Sequence, residues 1–271
     1  MTRARPDDSL ATVSVTPEHG CAWITGASSG IGRALALRLA QAGWRVAASA
    51  RRAEPLASLA DEAVDLPGTI RSVPLDVTDG AAVQTALQGL EQNLGPVALA
   101  VLNAGTHKPV RAAGFSADDA RDLLDLNLIG TARCLEAVLP SMIARRQGQI
   151  ALVASVAGYF GLPTSAIYGA SKAGLINMAE ALKPDLDGLG VQLQLVCPGF
   201  VRTPLTDKND FPMPFLMELE DAAEAFYRGL LSDRFEIVFP RRLAYLMKAV
   251  RLLPYPLFFA LTRRMLPKDR G

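Results

Sequence analysis

The chain has 271 residues, 50% of them hydrophobic and 20% charged, which is enough to bury a full core in one large α/β domain. Its formal net charge of +1 argues against nucleic acid as the main partner, since phosphate binding calls for a strongly basic face. The charge is unevenly spread: from Arg241 onward eight Lys or Arg stand against the single acid Asp269, so this tail carries +7 and the remainder −6.

Residues 1–18 contain Arg3, Arg5, Pro6, Asp7, Asp8 and Pro17 without an apolar run of signal-peptide length, so they read as a mobile tail and neither secretion nor an N-terminal anchor is expected. Short apolar runs then alternate with helix-period segments, the pattern of parallel strands joined by crossover helices. Strands are predicted near 21–25, 45–49, 70–75, 97–102, 149–154, 191–196 and 235–239. Helices are predicted at 30–42, 53–64, 79–93, 117–145, 166–188 and 219–231. Most strands are apolar throughout, as in V-A-L-A-V-L at 97–102, which a sheet covered on both faces requires. The expected fold is therefore a doubly wound, seven-stranded parallel α/β sheet.

In such a sheet ligands bind beyond the carboxyl ends of the strands. The marked residues follow those ends: Thr25 to Gly32 after the first strand, Arg51 after the second, Asp76 and Val77 after the third, Asn103, Ala104 and Gly105 after the fourth, Ser155 after the fifth, and Pro198 and Gly199 after the sixth. In T-G-A-S-S-G-I-G, Gly26 permits a tight turn, Gly30 lets the backbone approach a pyrophosphate and Gly32 allows close helix-on-strand packing. Ser28, Ser29 and Ile31 complete the turn at a helix N-terminus that favours negative charge. Further on, Tyr168 and Lys172 stand one helical turn apart in Y-G-A-S-K.

Taken together, T-G-x-x-x-G-I-G, N-A-G, a serine with Y-x-x-x-K, and the P-G-F-V-R-T at 198–203 resemble the short-chain dehydrogenase/reductase family over residues 20–240. The resemblance implies a single Rossmann-type domain at 19–240 that transfers a hydride to or from a nicotinamide. It implies that Asn103 to Gly105 support the central strand and line the adenosine side, that Asp76 contacts adenine, and that Thr203 reaches the carboxamide. Val77, Pro198, Gly199 and Val201 fall in the same cofactor-binding segments. Asn127 in L-D-L-N-L-I-G matches the helix asparagine that completes a catalytic tetrad through a water to the lysine. One departure is Leu102, where the family usually has a further asparagine.

The second strand ends Ala48-Ser49-Ala50-Arg51-Arg52, with no acid to accept from a free ribose hydroxyl. Arg33 and Arg51, assisted by Ser49 or Arg52, can grip a 2′-phosphate, so NADP(H) is expected in preference to NAD(H). Tyr168 is the expected general acid/base, with the ammonium of Lys172 favouring its phenolate, and Ser155 the donor that holds the substrate oxygen. Tyr168 and Lys172 also count among the cofactor contacts. His19 and His107 are the only histidines and no G-x-S-x-G turn is present, so a serine-hydrolase relay lacks its parts; His107 reads as a solvent-facing loop residue. No metal-ligand spacing occurs, and Cys21, Cys134 and Cys197 read as free buried thiols of a reducing, cytoplasmic compartment.

Substrate identity falls to residues 204–218, where Phe211, Met213, Phe215, Leu216 and Met217 suggest a deformable apolar lid suited to a greasy carbonyl or alcohol, with Tyr159 and Phe160 adding to it. Residues 241–271 form a basic amphipathic extension that Pro254 and Pro256 split into two short helices. Its apolar run at 252–261 is too short to cross a bilayer. Peripheral membrane contact, association with a second subunit in a dimer or tetramer, and docking on its own domain are the alternatives for it. The expected activity is reduction of an apolar carbonyl or its reverse. A 3-oxoacyl thioester reductase and a non-catalytic NADPH-binding protein are the other readings.

Overall fold

A computed structural model describes residues 14–208 and 213–266. Seven parallel strands, β1 (Cys21–Thr25), β2 (Arg45–Ala50), β3 (Thr69–Pro74), β4 (Val97–Leu102), β5 (Gly148–Val153), β6 (Val191–Pro198) and β7 (Glu236–Phe239), form one sheet in the order β3-β2-β1-β4-β5-β6-β7. The chain winds outward in both directions from the β1/β4 pair, where Ile24 lies beside Val101, so the loops after these strands diverge and open a crevice. Strands β1, β4, β5 and β6 are buried along their whole length, β4 as the unbroken apolar run V-A-L-A-V-L, and β5 and β6 with Gln149, Gln192 and Gln194 enclosed among apolar neighbours.

One face of the sheet is covered by α1 (Gly30–Gln41), α2 (Ala53–Glu62) and α7 (Leu219–Leu230), through Leu35, Leu39, Leu56, Leu59 and Phe226. The other is covered by α3 (Gly80–Leu94), α5 (Gly130–Arg145) and α6 (Ala166–Gly188), through Val83, Leu87, Val138, Met142 and Leu175. The extension forms α8 (Arg241–Arg251) and α9 (Tyr255–Arg263), with Pro254 between them as expected, while Pro256 falls inside the first turn of α9 and does not separate the helices. Leu243, Ala244 and Met247 of α8 enter the second core layer.

Two expectations change. The helix predicted over 117–145 forms with those bounds but is not α-helical throughout: α4 (Ala117–Leu124) runs through a π turn at Asp125–Ile129 directly into α5. The tail predicted to end at residue 18 is shorter, because Val15 is buried, its N–H donates to Gln149 Oε1 at 3.3 Å, and Pro17–His19 forms a 3-10 turn. Residues 1–13 of that tail, and Phe211 of the expected lid, lie outside the described residues.

Candidate active site

A cleft of about 710 Å³ lies along the carboxyl ends of β1, β2, β3 and β4, a size within the range of cofactor pockets. It is built first by the glycine turn. Gly26 and Gly30 hold φ of 70° and 56°, and a Cβ on Gly32 would fall 2.5 Å from the Gly26 carbonyl oxygen. Ser29 begins α1 without a side-chain cap, which leaves the helix's first N–H groups to face the cleft with the positive end of the dipole. The turn is tied to β4: the Thr25 hydroxyl accepts from the N–H groups of Asn103 and Ala104 at 3.0 and 3.1 Å, and Asn103 Nδ2 donates to the carbonyls of Thr25 and Gly26.

Gly26, Ser28, Ser29, Gly30, Ile31, Arg51, Asp76, Val77, Asn103, Ala104, Gly105 and Thr203 all line this cleft. Asp76 sits in a tight turn, accepting from the N–H and hydroxyl of Thr78 at 3.0 and 2.8 Å. Although burial raises its pKa, these bonds and the charges of Arg51 and Arg133 hold the carboxyl below the usual carboxylate range. Arg51 and Arg52 also line the cleft and form no ion pair among the described residues. Arg33 is not brought to Arg51. Its guanidinium instead donates to Glu62 of α2 at 2.6 Å, a carboxylate one helix away that its position gave no hint of. Ser49 also borders the cleft but is nearly fully buried, its hydroxyl accepting from Trp23 Nε1 at 2.9 Å.

The cleft continues into a narrower branch of about 120 Å³ lined by Ser155, Tyr168, Lys172, Pro198, Gly199, Val201 and Thr203. Here Tyr168 and Ser155 stand in the same branch, and Ser155 Oγ is oriented by the Ala157 N–H at 3.1 Å and the Pro198 carbonyl at 3.3 Å. Lys172 Nζ donates to the Val153 carbonyl at 2.8 Å and lies 5.8 Å from the centre of the Tyr168 ring. In the chain by itself the lysine does not lower the phenol. Burial raises Tyr168 above its ordinary value, with the Ser155 hydroxyl only offsetting this, and burial pushes Lys172 down to about 8.

Asn127, fully buried in the π turn, accepts from Thr106 N–H at 2.8 Å and donates to the Thr106 carbonyl and Ser171 Oγ. A Cβ on Gly105 would lie 3.1 Å from Asn127 Oδ1 and 3.5 Å from Lys172 Nζ, so glycine lets both groups approach the same strip of backbone.

Three side chains depart from expectation. His107 is not solvent-facing: its ring centroid is 4.6 Å from that of Tyr168 and its Nε2 is buried without a hydrogen-bond partner. Tyr159 does not face substrate but is buried, donating to Glu236 of β7 at 2.7 Å, while Glu236 also pairs with Lys248 of α8. Met217 is no free lid residue, since its N–H and carbonyl pair with Phe200 and Arg202 and its side chain joins the core; of the lid set Phe215 stays exposed. Two contributors went unnoticed in the sequence. Thr106 holds Asn127, and Thr206 accepts from the Thr203 N–H at 3.0 Å and fixes that residue toward the cleft, a role that the T-P-L-T spacing of a Thr turn signals.

Cys21, Cys134 and Cys197 are free and buried, as expected, with thiols pushed up by burial to about 11, 12 and 12. Among the described residues there is no cluster of metal-ligand side chains and no helix long and apolar enough to cross a membrane.

Residues 20–212 match the family model described as short chain dehydrogenase. An uncharacterized oxidoreductase of Myxococcus xanthus is 43% identical, covering 90% of this chain and 96% of that one. A 3-oxoacyl-(acyl-carrier-protein) reductase of Thermotoga maritima is 37% identical over 68% of this chain and 75% of its own. An actinorhodin polyketide ketoreductase solved with NADPH superposes with a TM-score of 0.71 at 28% identity, over 80% of this chain and 92% of that one. With the glycine turn, the crevice at the β1/β4 switch and the Ser-Tyr-Lys cluster gathered at one sheet edge, the protein is an oxidoreductase that belongs to the short-chain dehydrogenase/reductase family, whose members use NAD(P)(H).

Proposed function

We propose that the protein is an NADP(H)-dependent reductase of an apolar ketone, aldehyde or acyl-type carbonyl, with Tyr168 as the proton donor. The observation that carries this reading is that Ser155, Tyr168 and Lys172 line the same narrow branch of the cleft, together with Gly199 and Thr203. Because burial raises the phenol, Tyr168 holds its proton at neutral pH, and that is the form reduction needs. Ser155 orients the substrate oxygen toward it and stabilises the charge that develops there. When bound, the reduced nicotinamide supplies the hydride to the carbonyl carbon. Tyr168 gives its proton to the oxygen, and the ammonium of Lys172, fixed on Val153, stabilises the phenolate that remains. Asn127 and Ser171 keep the lysine's surroundings polar and ordered, and solvent returns the proton to Tyr168.

Preference for the 2′-phosphate rests on Arg51 and Arg52 at the end of β2 and on the lack of an acid there. Arg33 is left out of that clamp by its pair with Glu62. An apolar substrate is supported by Ile31, Val201 and Leu205 in the branch. The Thermotoga relative supports a second reading, reduction of a 3-oxoacyl thioester, which uses the same four residues. A binding-only protein would have no use for Ser155, Tyr168 and Lys172 together. Oxidation of NADPH and of NADH, followed with medium-chain ketones, steroids and acetoacetyl thioesters, separates these readings. Faster NADPH turnover with the apolar ketones is expected, and turnover confined to the thioester selects the second reading. No turnover with any of them leaves only the binding role.

A further inference from the structure

The extension leaves an unusual surface uncovered. Of the fifteen exposed large hydrophobic side chains among the described residues, ten lie between Arg241 and Leu266, including Leu252 at 85%, Tyr255 at 75%, Leu257 at 59% and Phe259 at 50% exposure. Only Leu243, Ala244 and Met247 of α8 and Phe258 and Thr262 of α9 turn inward. The outward side of α9 is therefore apolar, the reverse of an ordinary surface helix. The apolar patch is bracketed by charge: Arg241, Arg242, Lys248, Arg251, Arg263 and Arg264 fall in the same stretch, which contains no Asp or Glu. Only Lys248 forms an ion pair, with Glu236, among the described residues.

We infer that α8 and α9 form an interfacial docking element that seats this face of the protein on an anionic phospholipid surface. The chemistry matches on both counts. Apolar side chains of α9 enter the acyl boundary while the arginines on either side reach the headgroups, each adding attraction to a negative surface. With no helix long and apolar enough to span among the described residues, the element is placed in the plane of the interface. A second copy of the chain is the poorer occupant. A two-fold contact sets the same patch on itself, and here it would bring five unpaired arginines against their equivalents with no carboxylate to answer them.

The patch is also joined to the catalytic side. Phe258 of α9 packs edge-on against Phe160 at 5.3 Å, five residues past Ser155, and on its outer side meets Phe259, which stacks on exposed Tyr255 at 5.6 Å. Aromatic contacts thus lead from the loop after Ser155 to the proposed membrane face, which suits a substrate drawn from the bilayer.

The test is sedimentation of the full chain with unilamellar vesicles of phosphatidylcholine alone or mixed with phosphatidylglycerol. Binding to the mixed vesicles alone, weakened by added salt, is expected. Replacing both Arg263→Glu and Arg264→Glu should weaken partition by roughly 30-fold or more. Leu257→Glu should abolish it, and thermal unfolding like that of the parent verifies that each variant folds. These measurements need no turnover, so they stand or fall apart from the reductase assignment. Failure to bind the mixed vesicles, equal binding to phosphatidylcholine alone, or indifference to the arginine substitutions overturns the proposal. So does sedimentation equilibrium that finds a dimer which Leu257→Glu converts to monomer.

Discussion

Lys172 Nζ donates at 2.8 Å to the carbonyl of Val153, the last residue of β5, so the ammonium is moored to the sheet and not to the phenol beside it. Burial lowers this lysine from 10.5 to about 8, and between those values the unfolded chain keeps a proton that the folded chain has released. For this group stability rises with pH across that window. The buried thiols act in the opposite sense, because Cys134 and Cys197 are pushed up to about 12 and ionise only on unfolding. Comparison with Lys172→Met isolates the lysine. In urea unfolding, wild type should gain on the variant as pH moves from 8 to 10, and a constant difference would show that the lysine is not desolvated.

Tyr168→Phe removes the proposed proton donor while sparing the ring's packing on His107. A fall in kcat of about 10²–10⁴-fold is expected, with NADPH affinity by fluorescence titration essentially unchanged. Ser155→Ala should cost about 10²–10³-fold. A Tyr168→Phe enzyme as fast as its parent would remove the tyrosine from the reaction.

Arg51→Asp should lower kcat/KM for NADPH by about 10–100-fold and turn preference toward NADH, the scale of a lost charge-assisted bond. Arg33→Ala is the matched control. Its guanidinium is engaged by Glu62 at a partly exposed site, so coenzyme preference should stay put and stability should fall by no more than about 1 kcal/mol. If Arg33→Ala shifts preference as strongly as Arg51→Asp, the two arginines act together after all.

Thr25→Val keeps the shape of a buried side chain but deprives the Asn103 and Ala104 amides of their shared acceptor. A loss of about 1–3 kcal/mol for each stranded amide is expected in denaturant unfolding. Cofactor affinity should weaken in parallel, since the same threonine pins the glycine turn to β4. Loss of stability without loss of affinity would separate the turn from its anchor.

The strands were legible because most are short, mainly apolar segments, four of them buried along their whole length, and all seven fall within about two residues of their predicted bounds. The residues at their carboxyl ends were legible for the same reason: once the strands are placed, topology alone puts Ser155, Tyr168 and Thr203 at one edge. What escaped depends on partners distant in sequence. The π turn at Asp125–Ile129 has the periodicity of an ordinary helix, and only the pull of Thr106 and Ser171 on Asn127 marks it. Tyr159 looks like a substrate residue from its nearness to Ser155, but its hydroxyl is claimed by Glu236, 77 positions away. His107 and Arg33 were misjudged likewise, one drawn inward by the Tyr168 ring and the other outward by Glu62.

At Gly199, which lines the catalytic branch, an added Cβ would fall 2.6 Å from Leu243 Cδ2 on α8. The first helix of the extension is thus a supporting wall of the candidate active-site cleft, pressed against the backbone at Gly199. A chain clipped after residue 240 would lose that brace and bare a strip of core, so truncation and point substitution on the outer face are not equivalent probes of what the extension does.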